Sequence, residues 1–290
     1  MKFNLTRAHL PAYIRLMRID KPIGIYLLLW PTLWALILAS EGLSPLGVTL
    51  IFVAGVVVMR SAGCVINDYA DRNLDGSVAR TENRPLPSGE VTPSEALSLF
   101  SLHILVAFLL VIMLNWQTIA LSLVALLLAA SYPFMKRYTH FPQVVLGAAF
   151  GWAIPMGFMA VLETVPTYGW WLFIANLLWT VAYDTMYAMV DRDDDIKIGI
   201  KSTAIRFGRY DVAIVIGLQL ATLVILYGIG QTIAAHWPYY VALMFTALLF
   251  VRQYQFIKRR QKEGCFTAFL ENHYVGLTIA VGMLVNFWVS

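Results

Sequence analysis

Nine long apolar runs constrain the fold of this chain more than any other feature. They cover residues 22–40, 46–68, 93–114, 117–133, 143–162, 168–190, 210–229, 237–256 and 268–288. A helix of about 20 mostly apolar residues crosses the roughly 30 Å hydrocarbon core of a bilayer, where lipid offers no hydrogen-bond partner to an irregular backbone. The runs therefore predict an all-α polytopic membrane protein with nine transmembrane helices in one bundle. We expect a single domain over residues 1–290, with a central cavity beneath a polar cytoplasmic cap.

Composition excludes a soluble domain of this length. Hydrophobic residues make up 59% of the chain and charged residues 13%, and the mean hydropathy is +0.69. Such values are typical of a membrane protein. The two cysteines, Cys64 and Cys265, fall near predicted cytoplasmic helix ends, where thiols stay reduced, so we expect no disulfide. We infer neither a nucleic-acid partner nor an obligate protein partner.

The basic residues predict the orientation of the bundle. Of the 21 lysines and arginines, all but Arg60 lie in five segments, 2–21, 72–84, 136–137, 192–209 and 252–262. These segments border alternate ends of the runs, and the opposite connections carry no basic residue. By the positive-inside rule the N-terminus and the basic connections are cytoplasmic, and nine spans leave the C-terminus outside. The basic side chains also predict contact with anionic membrane lipid.

A cluster of acidic and amide side chains follows the second apolar run. Asn67, Asp71 and Asp75 are spaced four residues apart, which in a helix keeps them within roughly 80° of arc, and Asp68 lies beside them. Such a cluster is costly next to lipid. It is therefore either an ordinary loop in water or a site for a cation.

The same spacing recurs at the end of the sixth run. Tyr187, Asp191 and Asp195 follow the residues of the first cluster by a constant 120 positions. The repeat predicts two similar halves, with acidic motifs at 67–75 and 187–195 on the same face of the membrane. A same-side repeat requires a parallel relation between the halves.

Two acidic motifs on one face predict a Mg²⁺ site. Mg²⁺ takes one or two carboxylates and completes its octahedron with water and substrate phosphates. Nearby cations would neutralise the charge that develops on a diphosphate leaving group. The predicted metal ligands are Asn67, Asp68, Asp71, Asp75, Asp191 and Asp195, and the predicted diphosphate-binding residues include Arg72, Lys136, Lys197 and Lys201, with Arg192 nearby. Spacing alone leaves solvated loop charge as the alternative.

Several strings resemble a known family. The first motif resembles the first acidic motif of the intramembrane aromatic prenyltransferases, 191–195 resembles their second, and Tyr132 with Lys136 resembles their intervening Tyr/Lys element. Three longer strings look like the bacterial 4-hydroxybenzoate polyprenyltransferases of ubiquinone synthesis. They are Asp20-Lys21-Pro22-Ile23-Gly24, Arg84-Pro85-Leu86-Pro87-Ser88-Gly89 and residues 187–195.

This resemblance implies a reaction and a place. A polyprenyl chain would pass from its diphosphate to the ring carbon ortho to the hydroxyl of 4-hydroxybenzoate, with Mg²⁺ as the cofactor, in the bacterial inner membrane. The residues expected to act in catalysis are Asp71, Asp75, Asp191, Asp195 and Asp184, and Tyr132 is expected to join the diphosphate-binding set.

Charges at greater depth leave alternatives open. Arg60 lies two helical turns below Asn67, and Asp184 lies two turns below Asp191. Arg60 or Arg137 would bind the substrate carboxylate, because arginine pairs bidentately with that group. Arg60 and Asp184 could equally form a buried structural ion pair.

Two other functions stay open at this point. One is a proton- or cation-coupled transporter with Asp184, Arg60 and His103 as a relay, although we expect His103 to be a packed histidine bonded to the backbone. The other is a prenyltransferase for a different aromatic acceptor.

Overall fold

The described part of the chain is entirely helical. The computed structural model describes residues 5–72 and 83–289, and no strand occurs among them. The α-helices are α1 (Leu10–Leu16), α2 (Ile23–Ala39), α3 (Leu46–Asp71), α4 (Pro93–Val111), α5 (Trp116–Tyr138), α6 (Pro142–Gly151), α7 (Ala153–Leu162), α8 (Thr167–Ile198), α9 (Thr203–Phe207), α10 (Asp211–Thr232), α11 (Trp237–Ile257), α12 (Lys262–Leu270) and α13 (Asn272–Asn286).

A helix occupies each of the nine predicted apolar runs. Within the described residues, seven helical segments are long and apolar enough to cross a membrane: α3, α4, α5, α6 with α7, α9 with α10, α11, and α12 with α13. The apolar α2 has 17 residues, and the 32-residue α8 carries more polar side chains. The chain is therefore a multi-pass membrane protein, since backbone at that depth must be satisfied within its own helix.

Two helices run further than the apolar runs that predict them. Because proline commonly ends a helix, the sequence predicts that the fourth span ends at Pro133. This prediction is wrong, since α5 continues through Pro133 to Tyr138. Helix α8 likewise continues past residue 190 to Ile198, so Asp191 belongs to the same helix as the deeper Asp184. Both extensions carry polar motif residues beyond the apolar layer without breaking the helix.

Local sequence signals account for the ends of α4 and α8. Thr92 accepts a hydrogen bond from the backbone N–H of Glu95, whose carboxylate accepts from the Thr92 N–H in return, and this capping box starts α4. Gly199 takes the left-handed conformation (φ +72°) that ends α8, which suits a residue without a Cβ. Cys64 and Cys265 are both free thiols, and both are buried, which the sequence does not predict.

Helix α2 packs inside the bundle, between α3, α7 and α13. Its Trp34 is fully buried, lies 5.3 Å from the ring of Trp179 on α8, and donates through Nε1 to the carbonyl of Gly276 on α13 at 2.9 Å. The outer surface of the bundle is apolar, with exposed side chains such as Leu127 and Val224. An apolar exterior over a packed aromatic core suits lipid as the solvent.

The contact between α2 and α13 predicts a stability effect. A Cβ on Gly276 would lie 2.4 Å from Cδ1 and 2.7 Å from Cβ of Trp30, an atom that cannot move without the α2 backbone. We expect Gly276→Ala to lower the free energy of unfolding by about 1–3 kcal/mol, as overpacking does. The measurement is the melting temperature in detergent. The control is Gly217→Ala, since a Cβ on Gly217 meets no atom within 4 Å and alanine favours the helix. Equal melting temperatures would contradict the packing described.

Candidate active site

A polar cavity lies where the ends of α3, α5 and α8 meet. It collects residues that lie far apart in the sequence: both acidic motifs, the Tyr/Lys element and the loop after α8. The predicted site residues that line it are Asn67, Asp71, Tyr132, Lys136, Asp184, Asp191, Asp195 and Lys201. Asp75 lies outside the described residues.

Asp71, the last residue of α3, is 1% exposed. Lys136 donates to its Oδ2, and Nη2 of Arg137 lies 3.8 Å from its Oδ1. Oδ1 itself is buried and accepts no hydrogen bond from any described residue. A buried carboxylate oxygen without a donor is costly unless something else binds it. This oxygen is therefore a candidate ligand atom.

Asp68 has different neighbours from Asp71. It is buried, and its Oδ1 accepts from Arg18 at 2.9 Å and from Arg84 at 3.0 Å. Asp68 is not among the lining residues, whereas both arginines are. Asp68, which the sequence predicts as a metal ligand, thus holds two arginines at the cavity wall.

Arg18 and Arg84 are site residues that the sequence reasoning misses. Arg18 takes a left-handed conformation (φ +55°) in the link between α1 and α2, which turns it toward the cavity. Burial is the largest single influence and lowers the pKa of the Arg18 guanidinium, but the Asp68 carboxylate, Cys64 and Tyr187 together raise that pKa by more, so it lies above its ordinary value. Arg18 therefore stays charged at any physiological pH. The sequence does contain a signal for Arg84, because it is the first residue of Arg84-Pro85-Leu86-Pro87-Ser88-Gly89, a string that resembles a known family.

The second motif lines the opposite wall. Tyr187, Asp191 and Asp195 follow one another at single turns of α8, and all three face the cavity. Met189 between them is buried in the core and does not line the cavity. The alternation of buried apolar and cavity-facing polar positions follows from the helical period, as the spacing predicts.

The loop after α8 covers one side of the cavity. The Lys201 N–H donates to the carbonyl of Lys136 at 3.1 Å, and the Thr203 N–H donates to Oε1 of Gln143 at 3.2 Å. Gln143 is buried and lines the cavity, although no sequence pattern points to it. These bonds join the second motif to the Tyr/Lys element.

Three predicted or associated cations do not line the cavity. The Arg72 guanidinium donates to the Tyr69 carbonyl at 2.7 Å and lies 4.4 Å from the centre of that ring. Lys197 is 72% exposed and pairs with Asp194 at 3.0 Å. Arg192 donates to Asp211. Helix periodicity turns all three away from the positions that carry the motif.

The deeper charges occupy separate places. Asp184 lines the cavity and interacts electrostatically with Arg60 and Asp191. No Arg60–Asp184 ion pair within 4.0 Å occurs in the described part of the chain. The Arg60 guanidinium instead lies against Gly24, where a Cβ would come within 2.1 Å of its Nε, and 5.9 Å from the centre of the Phe150 ring. Glycine at position 24 therefore makes room for this arginine.

Arg137 and His103 have simple partners. Arg137 donates to the carbonyl of Ala70 at 2.6 Å and is 41% exposed. His103 bonds through Nδ1 to the carbonyl of Leu99 at 2.8 Å, which confirms the expected packed histidine with a backbone partner. Because Nδ1 of His103 is bonded to a carbonyl one turn away on its own helix, His103 is not arranged as part of a proton relay.

The donor set fits a Mg²⁺ ion that is shared with a substrate. Asn67 and Asp71 of α3 line the same cavity as Asp191 and Asp195 of α8, and no described residue donates to Asp71 Oδ1. Within residues 5–72 and 83–289, no three acidic, histidine or cysteine side chains form a closed metal cluster. Mg²⁺ does not need one, because waters and phosphate oxygens complete its coordination.

Comparison with known proteins identifies the family. The model of the UbiA prenyltransferase family matches residues 28–281, which is most of the chain. The chain belongs to the UbiA prenyltransferase family. The proteins named 4-hydroxybenzoate octaprenyltransferase in Pseudoalteromonas atlantica and Enterobacter sp. (strain 638) are 60% and 59% identical to it, over 98% and 99% of this chain and 100% of each relative.

Solved structures of UbiA homologues share the fold. The apo structure of a homologue from Aeropyrum pernix K1 has a TM-score of 0.79 and 25% identity, and covers 90% of this chain and 97% of its own. A homologue from Archaeoglobus fulgidus, solved with GPP and Mg²⁺ bound, has a TM-score of 0.68 and 16% identity, and covers 94% and 99%. Both agree with an all-helical UbiA fold here.

Proposed function

We propose that the protein transfers a polyprenyl group from polyprenyl diphosphate to the ring carbon ortho to the hydroxyl of 4-hydroxybenzoate, a membrane step of ubiquinone biosynthesis. The observation that carries the proposal is the cavity in which both acidic motifs face each other among Arg18, Arg84 and Lys136. Acidic walls with basic neighbours suit an anionic diphosphate bound through a metal ion. The names of the relatives that align over their full length support the substrate and the acceptor.

Different residues of the cavity would bind the metal ion and the phosphate oxygens of the substrate. Asn67, Asp71, Asp191 and Asp195 would hold Mg²⁺, together with Asp75 from the first motif. When bound, Mg²⁺ supplies positive charge that stabilises the leaving diphosphate. Its use is supported by the homologue solved with GPP and Mg²⁺.

The basic side chains would bind the phosphate oxygens directly. Lys136 and Lys201 line the cavity beside Tyr132, and Arg18 and Arg84 add two cations held by Asp68. We therefore assign Asp68 to positioning these arginines. Arg72 and Lys197 lie away from the wall and contribute to the surrounding positive field.

The reaction breaks the allylic C–O bond, and the diphosphate leaves with the electron pair. The ring carbon ortho to the electron-rich hydroxyl attacks the allylic carbon, a C–C bond forms, and the ring then loses its proton. Asp184 lines the cavity about 10 Å below Asp191 and would orient the phenol or accept that proton. Loop 199–203 and the apolar bundle would keep water from the allylic cation.

The carboxylate of the acceptor would pair with an arginine. Arg60 lies against Gly24 on α2, below the first motif, and is electrostatically coupled to Asp184. Arg137 lies at the outer edge beside Asp71. The depth of Arg60 favours it for the carboxylate, with the ring then held between the diphosphate and Asp184.

The proposal includes a topology. All nine helical runs, α2 and α8 included, would span the bacterial inner membrane as one domain of two similar halves. The N-terminus and the cavity would be cytoplasmic and the C-terminus periplasmic, as the positive-inside rule predicts. Anionic lipid would contact the basic rim, and no other protein would be needed.

Product formation by the purified protein in detergent tests the function. With 4-hydroxybenzoate, an allylic diphosphate and Mg²⁺, we expect mass spectrometry to detect the prenylated acid, and we expect excess EDTA to abolish it and added Mg²⁺ to restore it. No product, or product unaffected by chelator, would refute the proposal. A dihydroxynaphthoate offered in parallel is the control for the acceptor, and faster turnover of that compound would overturn the choice of 4-hydroxybenzoate.

A further inference from the structure

The end of α8 projects beyond the packed core. Met189 is the last buried residue of the helix, and every residue from 190 to 200 is at least partly exposed. Asp191 and Asp195 therefore stand on two helical turns beyond the last buried residue, with only the partly buried Val190 among the described core contacts at their base. Something else must fix their direction, because a displacement of about 1 Å at a reacting group can cost a hundredfold in rate.

A buried ion cluster lies behind these turns, on the side away from the cavity. Arg192, 21% exposed, donates through Nη2 to the carboxylate of Asp211, the first residue of α10, which is 0% exposed. Asp211 also accepts from Nε of Arg260 at 2.9 Å. Arg260 in turn donates to the Arg209 carbonyl at 2.8 Å. The cluster thus ties α8 to the start of α10 and to the turn before α12.

The other side-chain ion pairs on this part of α8 are weaker anchors. Lys197 pairs with Asp194 within the same helix, so it holds nothing across helices. Lys262 reaches Asp193 at 3.9 Å and Asp194 at 4.0 Å, and Lys262 is half-exposed, Asp193 exposed and Asp194 about one-third exposed. Exposed pairs contribute little, whereas loss of one partner from a buried pair is strongly destabilising.

We infer that Asp211 is a positioning residue for the second acidic motif. Through Arg192 it holds the end of α8 so that Asp191 and Asp195 face the cavity and the metal bound there. Asp211 does not line the cavity and touches no substrate. The inference rests on the proposed metal-dependent function and adds to it a residue 16 positions beyond the motif, on another helix.

Metal binding by the purified protein tests this without turnover. Mn²⁺ is titrated in the presence of inorganic pyrophosphate, and free Mn²⁺ is followed by electron paramagnetic resonance. We expect Asp211→Asn to weaken Mn²⁺ binding about tenfold or more, the size of effect seen when outer partners of a metal site are removed. The matched control is Glu271→Gln, which removes another buried acid paired with an arginine, at 2.7 Å from Arg252, outside the cavity. Melting temperatures without metal are measured for both variants, so that loss of stability is separated from loss of affinity.

The outcomes are distinguishable. If the wild type binds no Mn²⁺ with pyrophosphate, the proposed metal site fails, and this inference fails with it. If the wild type binds and Asp211→Asn stays within twofold of Glu271→Gln, the inference alone is overturned. Should Asp211→Asn not fold, Arg192→Gln tests the same link from its more exposed end, with the same tenfold expectation. Where all variants fold, the double variant should bind no more weakly than Asp211→Asn alone, since Arg192 acts through Asp211.

Discussion

Asp71→Asn is expected to lower kcat/KM by about a thousandfold while the protein stays folded in the membrane. Asparagine keeps the shape of the side chain but removes the negative charge from Oδ1, a buried oxygen that no described residue hydrogen-bonds. A lost metal ligand costs about 4 kcal/mol of transition-state stabilisation, which corresponds to about three powers of ten in rate. The measurement is prenyl transfer with purified protein, alongside the melting temperature.

The control for Asp71 is a change that removes one charge outside the cavity. Glu90 is half-exposed and pairs with Arg15, so Glu90→Gln should leave turnover within about twofold, as exposed ion pairs contribute little. Near-normal activity of Asp71→Asn would remove this carboxylate from the metal site. Lys136, which donates to Asp71, remains 23% exposed and can be solvated in the variant, so gross unfolding is not expected.

Asp191→Asn is expected to cause a loss of the same size. This residue faces Asn67 and Asp71 across the cavity, so its carboxylate would bring the second wall to the same metal and diphosphate. Since a metal ion bound from one wall alone would lack part of its ligand set, the two motifs should be about equally necessary. Turnover, the Mg²⁺ concentration needed for half-maximal rate, and the melting temperature are the three measurements.

Asp193 offers a control two positions away on the same helix. It is 70% exposed, points away from the cavity and lies 3.9 Å from Lys262. Asp193→Asn removes the same charge from the same turn of α8 and should retain nearly full activity. If Asp193→Asn and Asp191→Asn lost activity equally, the loss of a negative charge on this turn, rather than the orientation of Asp191 toward the cavity, would explain the effect.

Sequence patterns predicted positions along single helices well. Tyr187, Asp191 and Asp195 are four residues apart and lie on one face of α8, because the helical period alone determines that face. Helical period was not applied to Tyr132 and Lys136, which were paired by resemblance to a known family, because Pro133 between them was expected to end the helix; α5 in fact carries both. In that case, packing in the bundle overrode a local rule about proline.

Contacts between distant segments could not be predicted in this way. The spacing of the first acidic motif does not show that Asp68 holds Arg18 and Arg84. It also does not show that Asp71, one turn away, lines the cavity with an oxygen that no described residue hydrogen-bonds. Nor does it show that Gln143 bonds the loop after α8, or that Arg192 turns outward to Asp211. Each depends on which residues other helices bring within hydrogen-bond distance.

Hydrophobic run length and helical period are local properties, so the order of residues was enough to predict a helical membrane protein with two matched acidic motifs. The role of each charge depends instead on how the helices pack. Residues 67–71 and 184–195 line one cavity because α3 packs on α5, α5 packs on α6, and α6 packs on α8. The direction of each side chain then separates cavity residues from those that hold them. Asp191 and Arg192 are adjacent in sequence, yet one faces the cavity and the other anchors the helix from behind.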